Sequence, residues 1–327
     1  MGATEPTRVL VVGAGAIGSF YGAILHRAGA EVSVVCRSDV GVVREGGFRI
    51  KSRPLGDLSF RPAQVHASVD EVERSPDYLL LCVKVLDGVD RAALIAPAVG
   101  PRTAIVLIEN GIGIEREVAE AFPGNPLISA LGMVGVSRTG PGEILHNHYG
   151  RLVLGDYPSG AGERARHLGA LLDAGGVTGE VSEDVVTARW AKCLWNTAFN
   201  PLSVLGGGAD TATMTGSEST DQLLRALMIE ICAVAAADGH PLDEGLIDGY
   251  LERTRTFPGY RNSMALDYLN GRPLELDAIL GNVLRIAAER GVEVPRLDTI
   301  YRSIRLLQDM QARDAEDADT GIAEQVQ

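Results

Sequence analysis

The chain has 327 residues, of which 46% are hydrophobic and 22% charged, and carries a formal net charge of −13. That length exceeds one ordinary hydrophobic core, so two domains are expected. The acidic balance argues against a nucleic-acid or anionic-membrane partner, which would need a basic footprint, and it requires any anionic ligand to be held by local positive charge.

The first element is a buried strand, Val9-Leu10-Val11-Val12, running into Gly13-Ala14-Gly15-Ala16-Ile17-Gly18. A helix is predicted over Ser19–Ala28 and a second strand over Val32–Cys36 after Gly29. A strand before and a helix after give G-x-G-x-x-G its dinucleotide-binding meaning. Gly13 permits the tight turn, Gly15 lets backbone approach a pyrophosphate, and Gly18 allows close helix–strand packing. Ala16 and Ile17 place their amides at the positive helix end where phosphates sit. About twenty residues on, an NAD-binding chain places an acid against the ribose 2′-hydroxyl. Here that stretch reads Val35-Cys36-Arg37-Ser38. Arg37 can pair with a 2′-phosphate in charge-assisted fashion, which favours NADP(H). The alternative is a solvated surface arginine, with Asp39 only two residues further on.

Tyr78–Val83 and Thr103–Ile108 read as further buried strands, with a helix between them over Asp87–Val99. Lys84 and Asn110 fall at the carboxyl ends of those two strands, the edge at which open α/β sheets bind ligands. A lysine there can also simply escape to solvent. Strand-like pieces at Leu127–Val136, Glu143–His146 and Arg151–Leu154 extend the sheet, partly antiparallel, before a helix over Glu163–Ala174. His146-Asn147-His148 is too short a cluster for a metal site, and none is expected. The four cysteines show no C-x-x-C spacing, and three of them sit inside apolar runs, where a reduced thiol behaves as a small hydrophobe.

From about residue 184 only helical periodicity remains, through Thr187–Asn200, Ser219–Asp238, Leu242–Arg255, Asn262–Asn270, Glu275–Arg290 and Pro295–Gln311. Two domains follow: an α/β, Rossmann-type dinucleotide-binding domain over residues 1–182 and an all-helical C-terminal domain over 183–327. Residues 313–327 are polar and acidic and are expected to be a disordered tail. Spacings of four and eight place Lys192, Asn196 and Asn200 on one helix face, which suits either a small polar ligand or solvent. Asn200 precedes Pro201 and is expected to end that helix. Ser263 and Glu275 stand at helix starts, where capping is the ordinary role of such residues. No apolar stretch is long enough to span a bilayer or to serve as a signal peptide, so the chain reads as cytoplasmic.

Taken together, these positions resemble the ketopantoate reductase (2-dehydropantoate 2-reductase) family from Val9 to about Pro295. The resemblance rests on Gly13–Gly18, Cys82-Val83-Lys84 and Glu109-Asn110-Gly111-Ile112-Gly113. It continues with Lys192, Asn196, Asn200-Pro201-Leu202, Ser263-Met264, Glu275 and Asp277. It implies NADPH-dependent reduction of 2-dehydropantoate, a small 2-keto acid, to pantoate on the way to pantothenate and coenzyme A. By the same resemblance Lys192 is the general acid and Glu275 a second catalytic residue. Asn196 and Asn200 would bind the substrate's polar groups and Ser263 its carboxylate. Lys84 and Asn110 would line the nicotinamide side, with Arg37 on the 2′-phosphate. Other 2-keto acid reductases share this fold, and a non-catalytic NADP-binding regulator is a third reading. The helical half would serve equally as the cap of a monomer or as the interface of a homodimer.

Overall fold

The structure, a computed structural model, describes residues 5–243, 245–256 and 259–320, with side chains described to residue 314. It divides into two compact units, residues 1–189 and 190–327.

The first unit is an α/β domain. In chain order it contains β1 (Arg8–Val12), α1 (Ala16–Arg27), β2 (Glu31–Val35), α2 (Val40–Gly46), β3 (Phe48–Ser52), β4 (Leu58–Phe60) and β5 (Val65–His66). There follow β6 (Tyr78–Leu81), α3 (Arg91–Ile95), β7 (Ala104–Ile108), α4 (Arg116–Ala121), β8 (Leu127–Gly140), β9 (Glu143–Asp156), α5 (Glu163–Ala174) and β10 (Gly179–Val181). The ten strands form one sheet in the order β4-β3-β9-β8-β7-β6-β1-β2-β5, with β10 on β9. From β5 through β2, β1, β6 and β7 to β8 every pairing is parallel, which is the Rossmann order 3-2-1-4-5-6. Val11, Leu79 and Val106 are wholly buried, as near-continuous apolar runs in a doubly covered parallel sheet must be. Burying each such side chain contributes about 1.5–3 kcal/mol.

The structure differs from the sequence reading in several places. The three predicted pieces between residues 127 and 154 are one long antiparallel hairpin, β8–β9. Its register shifts leave Thr139, Asn147 and Gly150 without a cross-strand partner, and these bulges interrupt the alternation that would have marked continuous strands. The predicted helix over 87–99 is only α3 followed by a 3-10 turn at Ala96–Ala98, where Pro97 withdraws a donor. Strands β3, β4 and β5 and helix α2 were not foreseen, although β3 alternates buried Phe48, Ile50 and Ser52 with exposed Arg49 and Lys51.

The second unit is all-helical. Helix α6 (Val185–Leu205) starts in the first unit and continues into the second, followed by α7 (Thr211–Thr215), α8 (Glu218–Ala237), α9 (Gly245–Thr256), α10 (Ser263–Leu269), α11 (Asn282–Arg290) and α12 (Pro295–Thr320). A π-helical turn over Asp277–Gly281 precedes α11. Helix α8 packs on α9, α11 and α12 through the buried stripe Leu224, Leu227, Ile231 and Val234. The buried carboxylate of Glu230 accepts from the backbone N–H groups of Arg296 and Leu297 and so caps α12 from a neighbouring helix. Residues 313–320, expected to be disordered, continue α12, since alanine, glutamate and arginine there are good helix formers; residues 321–327 lie outside those described. The unit boundary falls at 189/190 rather than 182/183, because the first turn of α6 is held by the α/β unit. No described helix is long and apolar enough to cross a membrane.

His146, in the bulged part of β9, is fully buried and packs on Phe20. Its Nδ1 lies 2.9 Å from Ser52 Oγ, and its Nε2 faces the carbonyl oxygens of His148 and Tyr149. Burial pushes its pKa below the usual histidine value. The unfolded chain therefore takes up the proton first, and stability should fall as the pH drops below about 6.5. Urea midpoints measured at about pH 7.5 and 5 should decline for the wild type and decline less for His146→Gln. An identical pH slope in the two proteins would assign the effect to another group.

Candidate functional site

Strands β1 and β6 are neighbours, and the chain crosses over in opposite directions from them, so the crevice outside their carboxyl ends is the topological switch point. The glycine turn lies there. Gly13 has φ +93°, and a Cβ on it would come within 2.9 Å of Cys82 and Val83 backbone atoms. A Cβ on Gly18 would lie 2.4 Å from the Gly13 carbonyl oxygen, whereas a Cβ on Gly15 would meet nothing within 4 Å. One glycine thus makes the turn, one closes the helix onto it, and the third leaves an open approach to backbone. The first intrahelical bond of α1 runs from Ser19 N–H to Gly15 C=O, so the amides of Ala16, Ile17 and Gly18 precede the ladder. No acid stands in that first turn to repel an anion. A dinucleotide pyrophosphate fits this cradle.

Around the same edge lie Lys84 and Asn110, both half-buried, just beyond β6 and β7. Arg37, beyond β2, is exposed and makes no hydrogen bond or ion pair among the described residues. Asp39 does not share that exposure. Its buried carboxylate accepts from Ser38 Oγ at 2.8 Å, from Gly142 N–H at 3.0 Å and from the Arg138 guanidinium.

Beneath Asn110 is a buried network that sequence reasoning missed. Arg189, 1% exposed, points its guanidinium into the sheet edge. Its Nη1 donates to the carbonyl oxygens of Glu109 and Gly111 at 2.9 and 3.0 Å, one on either side of Asn110. Its Nη2 donates to Ser129 Oγ and Ala130 O, and its Nε lies 2.6 Å from Glu115 Oε1. Ser129 in turn donates to Glu115 at 2.7 Å. Arg91 builds a second buried pair with Glu109 at 2.8 Å and also bonds the Ile114 carbonyl. The loop Asn110–Ile114 is therefore fixed from two sides. The only sequence hints were an arginine inside an apolar helical run and a glutamate opening the Glu109–Gly113 motif.

In the helical unit, Lys192 is half-buried and Asn196 and Asn200 are buried, so their shared face is not the solvated one that periodicity alone would allow. Asn200 is 2% exposed and its Oδ1 has no hydrogen-bond partner among the described residues. A buried acceptor without a donor costs about 1–3 kcal/mol, and such an atom marks a place where a ligand or water belongs. Pro201 does not end α6, contrary to expectation; the helix runs on to Leu205. Neighbouring carbonyls are satisfied from the side, Phe199 O by Asn262 Nδ2 and Asn200 O by Ser203 Oγ. The carbonyl that proline deprives of its helical donor is that of Thr197, four residues back, so these bonds brace the helix rather than replace that donor.

Capping does not account for Ser263. The cap of α10 is Asn262, whose Oδ1 accepts from Ala265 N–H at 2.9 Å, leaving Ser263 as the exposed first helical residue. Glu275 is buried and precedes the π turn, which has no side-chain cap. Thr197 Oγ1 donates to Ile279 O at 2.8 Å and ties that turn to α6 between Asn196 and Asn200. Asn262, through Ser203 and Phe199, ties the start of α10 to the end of the same stretch. Lys192, Asn196, Asn200, Ser263 and Glu275 thus stand on three segments joined by hydrogen bonds within one unit.

Residues 9–159 match the family model described as Ketopantoate reductase PanE/ApbA, and residues 184–308 match that of Ketopantoate reductase PanE/ApbA C terminal. A 2-dehydropantoate 2-reductase of Nostoc sp. is 32% identical over 304 residues, covering 91% of this chain and 94% of its own. The crystal structure of 2-dehydropantoate 2-reductase from Methylococcus capsulatus is 50% identical with a TM-score of 0.87, covering 92% of this chain and 96% of that one. A D-mandelate dehydrogenase solved with NADH and anilino(oxo)acetate shares the fold at 22% identity, with a TM-score of 0.83 over 93% of this chain and 99% of that one.

Removing one partner of a buried ion pair strands the other, at a cost of about 3–5 kcal/mol. Arg189→Met should lower unfolding stability by that amount in urea titrations, and Arg189→Met combined with Glu115→Gln should lose less than the sum of the two single changes. Additive losses would mean that the pair is not coupled.

Proposed function

Because the chain belongs to the ketopantoate reductase PanE/ApbA family, we propose that it reduces 2-dehydropantoate to pantoate with NADPH. When bound, NADPH supplies a hydride from its dihydronicotinamide to the ketone carbon. The residues that would hold it are Gly13, Gly15, Ala16, Ile17 and Gly18 at the pyrophosphate, Lys84 and Asn110 towards the nicotinamide, and Arg37 at the 2′-phosphate.

Negative charge grows on the ketone oxygen as the carbon is reduced, and it must be met by a positioned cation with a proton to give. Lys192 fills that role: its ammonium Nζ donates the proton to the oxygen, yielding the alcohol and a neutral amine that solvent reprotonates. Glu275, a buried carboxylate, holds lysine and substrate in place. Ser263, exposed at the first turn of α10, takes the substrate carboxylate, and Asn196 and Asn200 take its remaining polar groups.

The observation that carries this reading is the buried, unpartnered Oδ1 of Asn200, eight residues beyond Lys192 on one helix face. It needs a hydrogen-bond donor. The terminal hydroxyl of 2-dehydropantoate supplies one, and the analogue lacking that hydroxymethyl group does not. The fold neighbour that acts on mandelate supports a second reading, a reductase of another 2-keto acid.

Steady-state oxidation of NADPH should put 2-dehydropantoate ahead of 3-methyl-2-oxobutanoate by more than about 10²-fold in kcat/KM, since a site built to bond a hydroxyl rejects the analogue without it. Equal turnover of the two would move the protein to the second reading. Lys192→Ala should lower kcat by about 10²–10⁴ while leaving NADPH affinity nearly unchanged. An unaltered kcat would remove Lys192 as the proton donor.

A further inference from the structure

The tip of the β8–β9 hairpin is docked on the segment that follows β2, and it brings a second arginine there. Arg138 Nη1 donates to Ser38 Oγ at 3.3 Å, its Nη2 bonds Asp39 Oδ1, and its Nε reaches the Gly140 carbonyl. Gly142 N–H, across the hairpin turn, bonds the other oxygen of the same Asp39 carboxylate. These contacts turn the acid inward: Asp39 is 5% exposed, whereas the side chain of Arg138 keeps 43% of its surface in solvent. Only three of the five guanidinium N–H donors of Arg138 are engaged by these bonds.

The consequence for ligand choice follows from charge. An acid beyond the second strand of such a sheet selects an unphosphorylated ribose and repels a 2′-phosphate. In this chain Asp39 occupies that neighbourhood, yet its charge is cancelled by a cation arriving from a strand about a hundred residues away (|i−j| of 99). Arg37 is left as an exposed cation, and Arg138 bonds the hydroxyl of Ser38, the residue next to Arg37. We propose that Arg138 is a second selectivity residue for the dinucleotide 2′-phosphate, acting with Arg37 through its remaining guanidinium donors and by neutralising Asp39. This rests on the NADPH reading above.

Fluorescence titration of the full chain with NADPH and with NADH tests it, with competition by adenosine 2′,5′-bisphosphate as a probe of the phosphate alone. Arg138→Gln should weaken NADPH and the bisphosphate about tenfold, as for one lost charge-assisted hydrogen bond, and NADH less than about twofold. Arg138→Lys, which keeps the charge but not the fork, should fall between. A purely structural tie would weaken both cofactors equally; that result, or no change for either, overturns the inference. If Arg37→Ala abolishes the NADPH preference and Arg138→Gln leaves it intact, the role of Arg138 fails while the NADPH reading stands. If the wild type binds NADH as tightly as NADPH, both fall.

Discussion

Taking a guanidinium out of water costs several kcal/mol unless its donors are met, and the most buried arginine among the described residues is Arg189. It is met by a carboxylate, a hydroxyl and three carbonyl oxygens, each from the carboxyl edge of the sheet or the loop beyond it. Two of those carbonyls flank Asn110, so the loop cannot shift without breaking bonds to a buried cation. The same arginine belongs to the first turns of α6, the helix that carries Lys192. A single side chain therefore fixes the loop beyond β7 and anchors the start of the helix that carries Lys192.

The glycine turn imposes a comparable constraint by steric means. Gly13 lies against the backbone following β6, and Gly18 lies against Gly13. These contacts hold the end of β1, the start of α1 and the Cys82–Lys84 segment in one tight cluster at the switch point. Burial pushes the Cys82 thiol well above its ordinary value, so it remains a neutral, inert packing atom there.

Local rules made part of this legible in the sequence. The glycine motif could be read because turn, approach and packing are demands on single positions. Strands β1, β6 and β7 could be read because doubly covered parallel strands are unbroken apolar runs. The hairpin appeared in fragments because bulges at Asn147 and Gly150 break the period of two. Pro201 misled because the bias that proline places on Asn200 takes no account of the hydrogen bonds by which Thr197, Phe199 and Ser203 tie that stretch of α6 to neighbouring segments. Ser263 was ambiguous until Asn262 was seen to hold the cap of α10. Arg189 and Arg138 were invisible in their roles, since their partners lie from 60 to 100 residues away along the chain and no periodicity encodes such pairs.

The position of Arg189 also bears on the order in which the chain can fold as it is synthesised. Every strand of the α/β unit has been made by Val181, yet Glu115, Ser129 and the carbonyls around Asn110 still await their cation. That cation arrives only with the first turns of α6. The α/β unit therefore cannot finish its own core until the ribosome has made its last residue, in the first turns of α6. A polypeptide stopped just after the last strand would carry a buried carboxylate with no counter-charge. Completion of the first unit is thus timed by the synthesis of the helix on which it ends.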